Sequence, residues 1–468
     1  MKAHRHHRRG QLRRSCIALG ALLLAAACVP GTDGSGAAGS QGAAATAIPD
    51  PGKAGKVTLT VWDQQTRGGA NAQIERLNKE FEHKYPNVTI KRVARSFNDL
   101  KKTLKLALSG DNPPDVVQAN QGYSDMVAFA RAGMLTPLDS YAGLYSWNTR
   151  FPQTLLNLNR VSPDGKQFGT GQLYGISQEG EYIGVYYNKK VLRKAGVKPP
   201  QTWQDLTGAL PKLKKAGQLP IQFGNLDKYP AIHTFGVLQG QAAGSAEPVR
   251  ETVFGRGGGF DTEATREAAR TLADWADKGY FPKGANGKGY DDAAKQFADG
   301  KGAFLITGTW QLADLREPMG DDLGFMPPPP AEGRQPVTTG GEGLPWSITS
   351  KSDHPEVAAA YLDFLTDAHA SKVMTEEGVL PVVPGKAAKQ LDPEKADGQM
   401  FAGWQELNAA DGLVPYLDYT TPTFYDTLSA DLQGVLSGKL SPGDLAARMQ
   451  KEYAEFRAQQ RADGEDAK

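Results

Sequence analysis

Polar side chains stand directly after two predicted strands, where they could contact a common ligand. The alternating β-rich run Val57–Trp62 predicts a strand that is followed by Gln64 and Gln65. A second short strand, predicted over Asp115–Ala119, is followed by Gln121. Because helical patterns alternate with these strands, we expect parallel β-α-β units in an open α/β sheet, and ligands of such sheets lie outside the carboxyl ends of the strands. The two amide clusters are therefore expected at one edge of the sheet.

An indole follows a later predicted strand. The β-rich run Ala303–Thr307 ends at Gly308, and Trp310 comes shortly after it. Glycine permits a turn without a steric penalty, so the indole can reach the edge of the sheet. It either presents a flat apolar face to a ligand or is buried in the core, and both interpretations stay open at this point.

Signatures of catalysis and of metal binding are missing from the sequence. The four histidines after residue 27 are scattered, without the i, i+4 spacing of a zinc site. Motifs of serine hydrolases, phosphate-binding loops, calcium loops and dinucleotide-binding folds do not occur either. We therefore expect no catalytic residue, no metal and no cofactor. A glycoside hydrolase stays an alternative, because its two acids leave little trace in a sequence.

The first 27 residues are typical of an export signal. They combine the basic stretch Lys2–Arg14 with an apolar run of eleven residues, Ile17–Ala27, which is too short for the roughly 20 residues of a membrane span. The end of the signal, Leu24–Cys28, resembles a bacterial lipobox, in which Cys28 is lipidated and becomes the mature N-terminus. Cleavage after Ala27 with an unmodified cysteine is the alternative. The pair Arg13–Arg14 leaves open whether export uses the general or the twin-arginine route.

The chain that remains after this signal has more acidic than basic residues. It carries 47 Lys and Arg against 52 Asp and Glu, a net charge of about −5, which argues against nucleic acid as a partner. Residues 28–56 are rich in Gly, Ala, Ser and Thr and predict a flexible tether. The remaining chain of about 410 residues exceeds the size at which a single core stops growing, so at least two lobes are expected.

Seven sequence stretches follow one another in a characteristic order along residues 57–456. They are Val57–Trp62, Gly110–Val117, Ala132–Leu138, Gly184–Lys190, Pro200–Asp205, Gly302–Trp310, and Gly340-Gly341 with a helix beyond Pro355. In this order they resemble the extracellular solute-binding proteins of carbohydrate ABC transporters, family 1, the group that includes maltose-binding protein. The resemblance implies an α/β, two-lobed periplasmic-binding-protein fold with a central ligand cleft, and hinge crossings that join the lobes.

The resemblance also implies a domain division and a function. Lobe 1 would comprise residues 57–178 and 335–382, and lobe 2 residues 179–334 and 383–468, with crossings near Ser177–Tyr182, Pro327–Val337 and Val382–Lys386. The protein would be a monomeric, lipid-anchored binding subunit of an ABC importer at the outer face of the cell membrane. It would bind a sugar or oligosaccharide without turnover and deliver it to the permease subunits.

Candidate ligand contacts follow from the resemblance together with the strand ends. Sugars combine hydroxyl groups with apolar ring faces, so their sites use aromatic platforms beside carboxylates and amides. The candidates are Trp62, Gln64, Gln65, Gln121, Glu179, Glu181, Asn225, Asp227, Trp310, Glu342, Trp346 and Tyr425, with Arg67 as a further addition. The family often places a sugar-binding acid beside the first crossing, and the spacing leaves Glu179 and Glu181 both open for this role. A secreted carbohydrate-active enzyme and a binder of a non-sugar solute are the alternative functions.

Overall fold

Two β-sheets organise the chain, and helices pack against both of them. The computed structural model describes residues 47–465. The predicted signal of residues 1–27, the predicted lipidation site Cys28 and most of the predicted tether lie outside the described residues. The described strands are β1 (Val57–Asp63), β2 (Val88–Ala94), β3 (Val116–Gln118), β4 (Arg160–Val161), β5 (Gln172–Leu173), β6 (Gly180–Asn188), β7 (Ile221–Gln222), β8 (Phe304–Gly308), β9 (Leu323–Met326), β10 (Thr338–Glu342), β11 (Trp346–Ile348) and β12 (Leu413–Val414).

Helices fill most of the sequence between these strands. They are α1 (Gly68–Lys84), α2 (Phe97–Ser109), α3 (Met126–Arg131), α4 (Asp139–Leu144), α5 (Trp147–Arg150), α6 (Gln153–Leu156), α7 (Lys189–Lys194), α8 (Trp203–Lys215), α9 (Tyr229–Ala243), α10 (Glu247–Val253), α11 (Glu263–Asp277), α12 (Tyr290–Ala298), α13 (Leu312–Met319), α14 (Pro355–Thr366), α15 (Ala368–Glu376), α16 (Ala396–Ala409), α17 (Phe424–Leu436) and α18 (Pro442–Glu465). No helix of residues 47–465 is both long enough and apolar enough to cross a membrane.

The first sheet has the strand order β11, β3, β1, β2. The central strand β1 runs parallel to both β2 and β3, as the alternation of strands and helices predicts. Val57, Leu59 and Val61 alternate along β1 and are buried, while helix α1 buries Leu77 and Phe81. This alternation makes one face of β1 apolar, which is the signal from which the sequence predicts the strand.

The second sheet is mixed rather than parallel. Its strand order is β12, β10, β6, β8, β7, and β9 also pairs with β6. The central strand β6 is antiparallel to β8, β9 and β10, and all nine of its residues are buried. The expectation of parallel units, which rests on the strands over residues 57–119, does not extend to this sheet. Alternating strands and helices do not fix the direction in which a strand enters the sheet, and β6 enters opposite to its neighbours.

Three chain segments run side by side between the two sheets. They comprise residues 176–180, 343–346 and 380–382, which backbone hydrogen bonds and isolated bridges join to one another. The N–H of Gly343 donates to the carbonyl of Glu179 over 2.9 Å. The first and third segments lie close to predicted crossings. The middle one comes later than the predicted crossing near Pro327–Val337, because β10 still pairs with β6 in the second sheet. The lobe boundaries themselves stay a prediction.

The last residues of the predicted tether pack against the folded chain. Pro51–Lys53 forms a short 3-10 turn in which Pro51 is buried. The side-chain amide of Asn87 donates to the carbonyls of Pro51, over 2.8 Å, and of Gly55, over 2.6 Å. Pro51 and Gly55, which the sequence assigns to the tether, therefore contact the folded chain.

Candidate functional site

A cleft opens where strand ends of both sheets meet the connecting segments. It contains about 830 Å³ of empty space, part of which is open to solvent, and this lies within the range of small-molecule sites. Its lining consists of Gln64, Gln65, Arg67, Ala70, Phe97, Asn120, Glu179, Glu181, Tyr229, Ile232, His233, Trp310, Leu344, Tyr416, Asp418, Tyr419 and Tyr425. Six of the candidates from sequence are therefore together here: Gln64, Gln65, Glu179, Glu181, Trp310 and Tyr425.

Amide groups form one edge of the cleft, directly after strand β1. The backbone N–H of Gln65 donates to the Asp63 carboxylate over 2.8 Å, which fixes the turn at the end of the strand. Its side-chain Nε2 donates to Oε1 of Glu179 over 2.7 Å. The N–H of Gln64 donates to Oε1 of Gln118 in β3, also over 2.8 Å. The two strand ends are thus tied together, and both amide side chains line the cleft.

Two buried carboxylates line the cleft. Glu179 lies in the first connecting segment and Glu181 near the start of β6, so the period of two residues in extended chain puts both on one face. Burial raises the pKa of Glu179 to about 7. Burial, together with the neighbouring charge of Glu179, raises the pKa of Glu181 to about 8. The sequence left open which of the two faces the cleft, and the structure places both there.

A third acid, Asp418, belongs to a 3-10 turn that follows strand β12. Leu417–Tyr419 forms this turn, and burial raises the pKa of the Asp418 carboxyl to about 6. The positive charge of Lys101 acts in the opposite direction and favours the ionised form. Although three acids line the cleft, no group of three His, Cys, Asp or Glu in residues 47–465 is arranged to hold a metal ion.

Aromatic side chains form the remaining walls. Trp310 sits in the 3-10 turn Thr309–Gln311 after β8, partly exposed, with its Nε1–H donating to the Tyr290 hydroxyl over 2.6 Å. A Cβ added to Gly308 would lie 2.0 Å from the indole, so the ring covers this glycine. Since Tyr290 occupies the indole N–H, the indole offers its apolar surface to the cleft. The ring of His233 stands at its edge, 5.4 Å away between centroids.

Arg67 connects the first sheet's side of the cleft with the second. It immediately precedes helix α1, and its guanidinium pairs with Asp291 at the start of α12 over 2.9 Å. The same guanidinium lies over the ring of Tyr290, 5.2 Å from the ring centroid. The pair therefore joins the start of α1 to the start of α12 beside the cleft.

Three candidates have structural roles in place of a position in the cleft. Trp346 has no exposed surface and donates its indole N–H to Gln178 over 3.2 Å. Asn225 is equally buried and accepts the N–H of Ala231 in the first turn of α9, over 3.0 Å. Trp62 lies against the Arg95 guanidinium, 4.1 Å from the ring centroid. The sequence locates Trp62 and Asn225 at strand ends and Trp346 just before a strand, but it does not give the direction of their side chains.

Three polar candidates lie outside the cleft lining, where each makes hydrogen bonds within the protein. Nε2 of Gln121 donates to the carbonyl of Gly343 over 3.1 Å, and its Oε1 accepts the hydroxyl of Tyr419 over 3.0 Å. Asp227 accepts the backbone N–H of Tyr290 over 2.8 Å. Glu342 accepts a hydrogen bond from Asn159 over 2.6 Å, and burial raises the pKa of Glu342 to about 7. None of the three belongs to the described lining of the cleft.

Several lining residues were absent from the candidates. They are Ala70, Phe97, Asn120, Tyr229, Ile232, His233, Leu344, Tyr416, Asp418 and Tyr419. Asn120 directly precedes Gln121, so the same strand-end signal covers it. The dense aromatic stretch Tyr416–Tyr419 after a proline is a second usable signal.

The sequence profile of the bacterial extracellular solute-binding proteins matches residues 66–372, more than half of the chain. The chain belongs to this family. The family resemblance and the two-lobed α/β fold expected from the sequence are thereby confirmed.

Named relatives of this solute-binding protein are binding proteins, not enzymes. A maltodextrin-binding protein of Bacillus subtilis is 27% identical, over 73% of this chain and 76% of its own length. A diacetylchitobiose-binding protein of Streptomyces coelicolor is 26% identical, over 86% of this chain and 90% of its own. Among solved structures, a chitin oligosaccharide-binding protein gives a TM-score of 0.74 at 24% identity, covering 86% of this chain and 99% of its own.

Proposed function

We propose that this protein is the substrate-binding subunit of an ABC importer and that it captures a sugar or oligosaccharide in the cleft. One observation carries the proposal: apolar aromatic surfaces and hydrogen-bonding amides and carboxylates face each other across a single cleft. A pyranose ring has apolar C–H faces and a rim of hydroxyls, so this combination complements it. Relatives whose names state sugar binding support the proposal.

Binding is proposed to proceed by closure of the cleft. The three connecting segments form a narrow link between the sheets, which suits hinge motion. Gln65 with Glu179, and Arg67 with Asp291, would then make contacts of the closed form. A ligand drives this closure only by binding the closed form more tightly than the open one.

Binding without turnover is the proposed role of the buried acids. Two carboxylates with raised pKa values also occur in glycoside hydrolases, so the distinction needs a direct test. Prolonged incubation with each oligosaccharide that binds should return it intact, as judged by chromatography. Appearance of shorter products that disappears in the Glu181→Gln variant would assign the cleft to an enzyme.

Anchoring is proposed to occur through a lipid on Cys28, with the body held outside the cell. The lipobox-like sequence before this cysteine supports it. In the producing bacterium, Cys28→Ser should release the protein from the membrane or leave an unprocessed precursor. A soluble protein that begins near residue 47, and so keeps the buried Pro51, should retain ligand binding. Membrane retention of the serine variant would contradict lipidation at this position.

The proposed function is tested by screening ligands against the soluble protein. A panel of neutral and amine-bearing oligosaccharides is screened by thermal shift, and every hit is measured by isothermal titration. A saturating ligand at a hundredfold excess over its Kd stabilises the fold by about 2.7 kcal/mol, which a melting curve resolves. We expect at least one carbohydrate to raise the melting temperature. Folded protein that responds to no carbohydrate, but does respond to another solute class, would overturn the proposal.

A further inference from the structure

The carboxylates of Glu179 and Glu181 both lie close to the same position beside Gly343. A Cβ added to this glycine would lie 3.5 Å from an oxygen of Glu181 and 3.6 Å from an oxygen of Glu179. Both side chains are more than nine-tenths buried, and both line the cleft. We infer that the transported ligand is an amine-bearing carbohydrate whose protonated amine lies between these two carboxylates. This inference rests on the proposed function, because it narrows the ligand of the same cleft.

The charged groups that act on the pair are themselves acids. Asp63 acts on Glu179, and both Glu179 and Asp418 act on Glu181. The positive charge nearest to Asp63 is already engaged, because Arg92 pairs with it over 2.7 Å. Ionising both glutamates therefore places like charges close together in a poorly solvated site, which is costly without a nearby cation. A ligand amine would supply the missing positive charge.

Other cleft groups do not provide this charge. Arg67, the basic side chain of the lining, is paired with Asp291. Lys101 pairs with Asp125 over 2.9 Å. Burial lowers the pKa of His233 to about 3, so its ring is neutral at physiological pH. These basic groups are therefore either paired with an acid or neutral.

An unpartnered polar atom independently indicates a ligand in this cleft. Nδ1 of His233, a described residue of the lining, is buried and makes no hydrogen bond. The Tyr416 hydroxyl, also in the lining, lies beside the Glu181 carboxylate. Buried polar atoms normally have a partner, so Nδ1 of His233 is expected to bind a hydroxyl of the ligand.

An ammonium group matches the carboxylate pair better than a hydroxyl does. A hydroxyl has one hydrogen to donate and satisfies a single carboxylate, whereas an ammonium has three and can satisfy both. Hydrogen bonds between two ionised groups are also shorter and about twice as strong as neutral ones. The cleft is therefore expected to distinguish ligands that differ only by amine against hydroxyl.

Matched oligosaccharides test the inference on the folded protein. Tetramers of β-1,4-linked glucosamine, N-acetylglucosamine and glucose differ only in the group at C2. At neutral pH, we expect the glucosamine tetramer to bind about tenfold tighter than the glucose tetramer, as one additional charge-assisted hydrogen bond would give.

Glutamine variants of the two glutamates test whether the ligand amine binds between them. Glu179→Gln and Glu181→Gln should each reduce the preference for the amine, because each weakens binding of the amine-bearing member more than binding of the neutral member. Glu332→Gln, in an exposed loop, is the matched control and should change neither affinity. Melting curves of all variants establish that they are folded.

The possible outcomes separate this inference from the proposed function. Equal or tighter binding of the neutral or acetylated members overturns the inference and leaves the sugar-binding proposal intact. An amine preference that survives both glutamine variants also overturns it, because the amine then lies elsewhere. Failure of every carbohydrate to bind the folded protein overturns the inference and the proposed function together.

Discussion

The Trp310 indole lines the cleft and also packs against Gly308. The ring is partly exposed, and its N–H is held by the Tyr290 hydroxyl. Gly308 lies beneath it without room for a Cβ. This arrangement fixes the orientation of the indole before a ligand arrives, so little side-chain entropy remains to be lost on binding.

Replacement of Trp310 by alanine is expected to weaken ligand binding with little loss of stability. Removing an aromatic residue from the centre of a binding site often costs about 2 kcal/mol, roughly a thirtyfold loss of affinity. Trp404→Ala is the matched control, because this indole is buried and stacks on Tyr182. The control should instead cost about 3–5 kcal/mol of unfolding free energy. Titration calorimetry and denaturant unfolding measure the two effects. Native affinity in Trp310→Ala, together with a stability loss like that of the control, would place this indole in the core.

The raised pKa of Glu181 predicts how stability depends on pH. Its pKa is about 8 in the fold against 4.5 in a model compound, so the folded state holds this proton over a range in which the unfolded state has lost it. The contribution to the free energy of unfolding is complete below about 4.5 and is lost as pH rises through about 8. Relative to Glu181→Gln, the ligand-free wild type should therefore become less stable over this range, as measured by denaturant unfolding at several pH values. A constant difference between the two proteins would mean that the carboxyl titrates normally.

Among the secondary-structure elements, strand ends were predictable from sequence and side-chain directions were not. Gln65 and Trp310 follow clear strand patterns and do line the cleft. Trp346 comes just after a glycine turn, from which it could face either way, and it points into the core. Successive residues of a strand face opposite sides, so an uncertainty of one residue decides between cleft and core. Asp418 reaches the cleft from a turn near the end of the chain, which no local pattern connects to the first strands.

The order of strands in the second sheet also lacks a local signal. The burial of all nine residues of β6 makes it recognisable as a central strand. Its antiparallel partners β8, β9 and β10 lie more than 100 residues later in the chain. The order of whole segments, by contrast, was sufficient to indicate the family, because it samples many elements at once.

The ion pair between helices α1 and α12 is expected to contribute modestly to the closed form. Arg67 is largely covered, but Asp291 is mostly exposed, so solvent limits the pair to about 1 kcal/mol. Arg67→Ala and Asp291→Ala should each weaken ligand binding by up to about fivefold. The double variant should be no weaker than either single one. Arg266→Ala, which breaks a pair with Asp261 on the surface, is the control. Additive losses in the double variant would show that the two side chains act independently.

At the scale of the whole molecule, the cleft and the connecting segments share residues. The cleft is lined from both sheets, while hydrogen-bonded segments at 176–180, 343–346 and 380–382 link those sheets. Glu179 lies on the first of these segments and also accepts the side chain of Gln65. A ligand that contacts this acid therefore contacts the linking region itself, which couples binding to the angle between the two halves.

Ligand binding is expected to shift the molecule from an open to a more compact form. Micromolar affinity corresponds to about 8 kcal/mol, and the part of it that differs between the two forms drives closure. Small-angle scattering of the soluble protein should show a smaller radius of gyration at saturating ligand than without ligand. Trp310→Ala, at ligand concentrations that saturate it, should still compact, because the hinge is unchanged. An Arg67→Ala variant should need a higher ligand concentration to reach the compact form, because it lacks an ion pair of the closed form. A radius of gyration that stays constant through saturation would show that the ligand enters a cleft already closed, and the hinge mechanism would then be wrong.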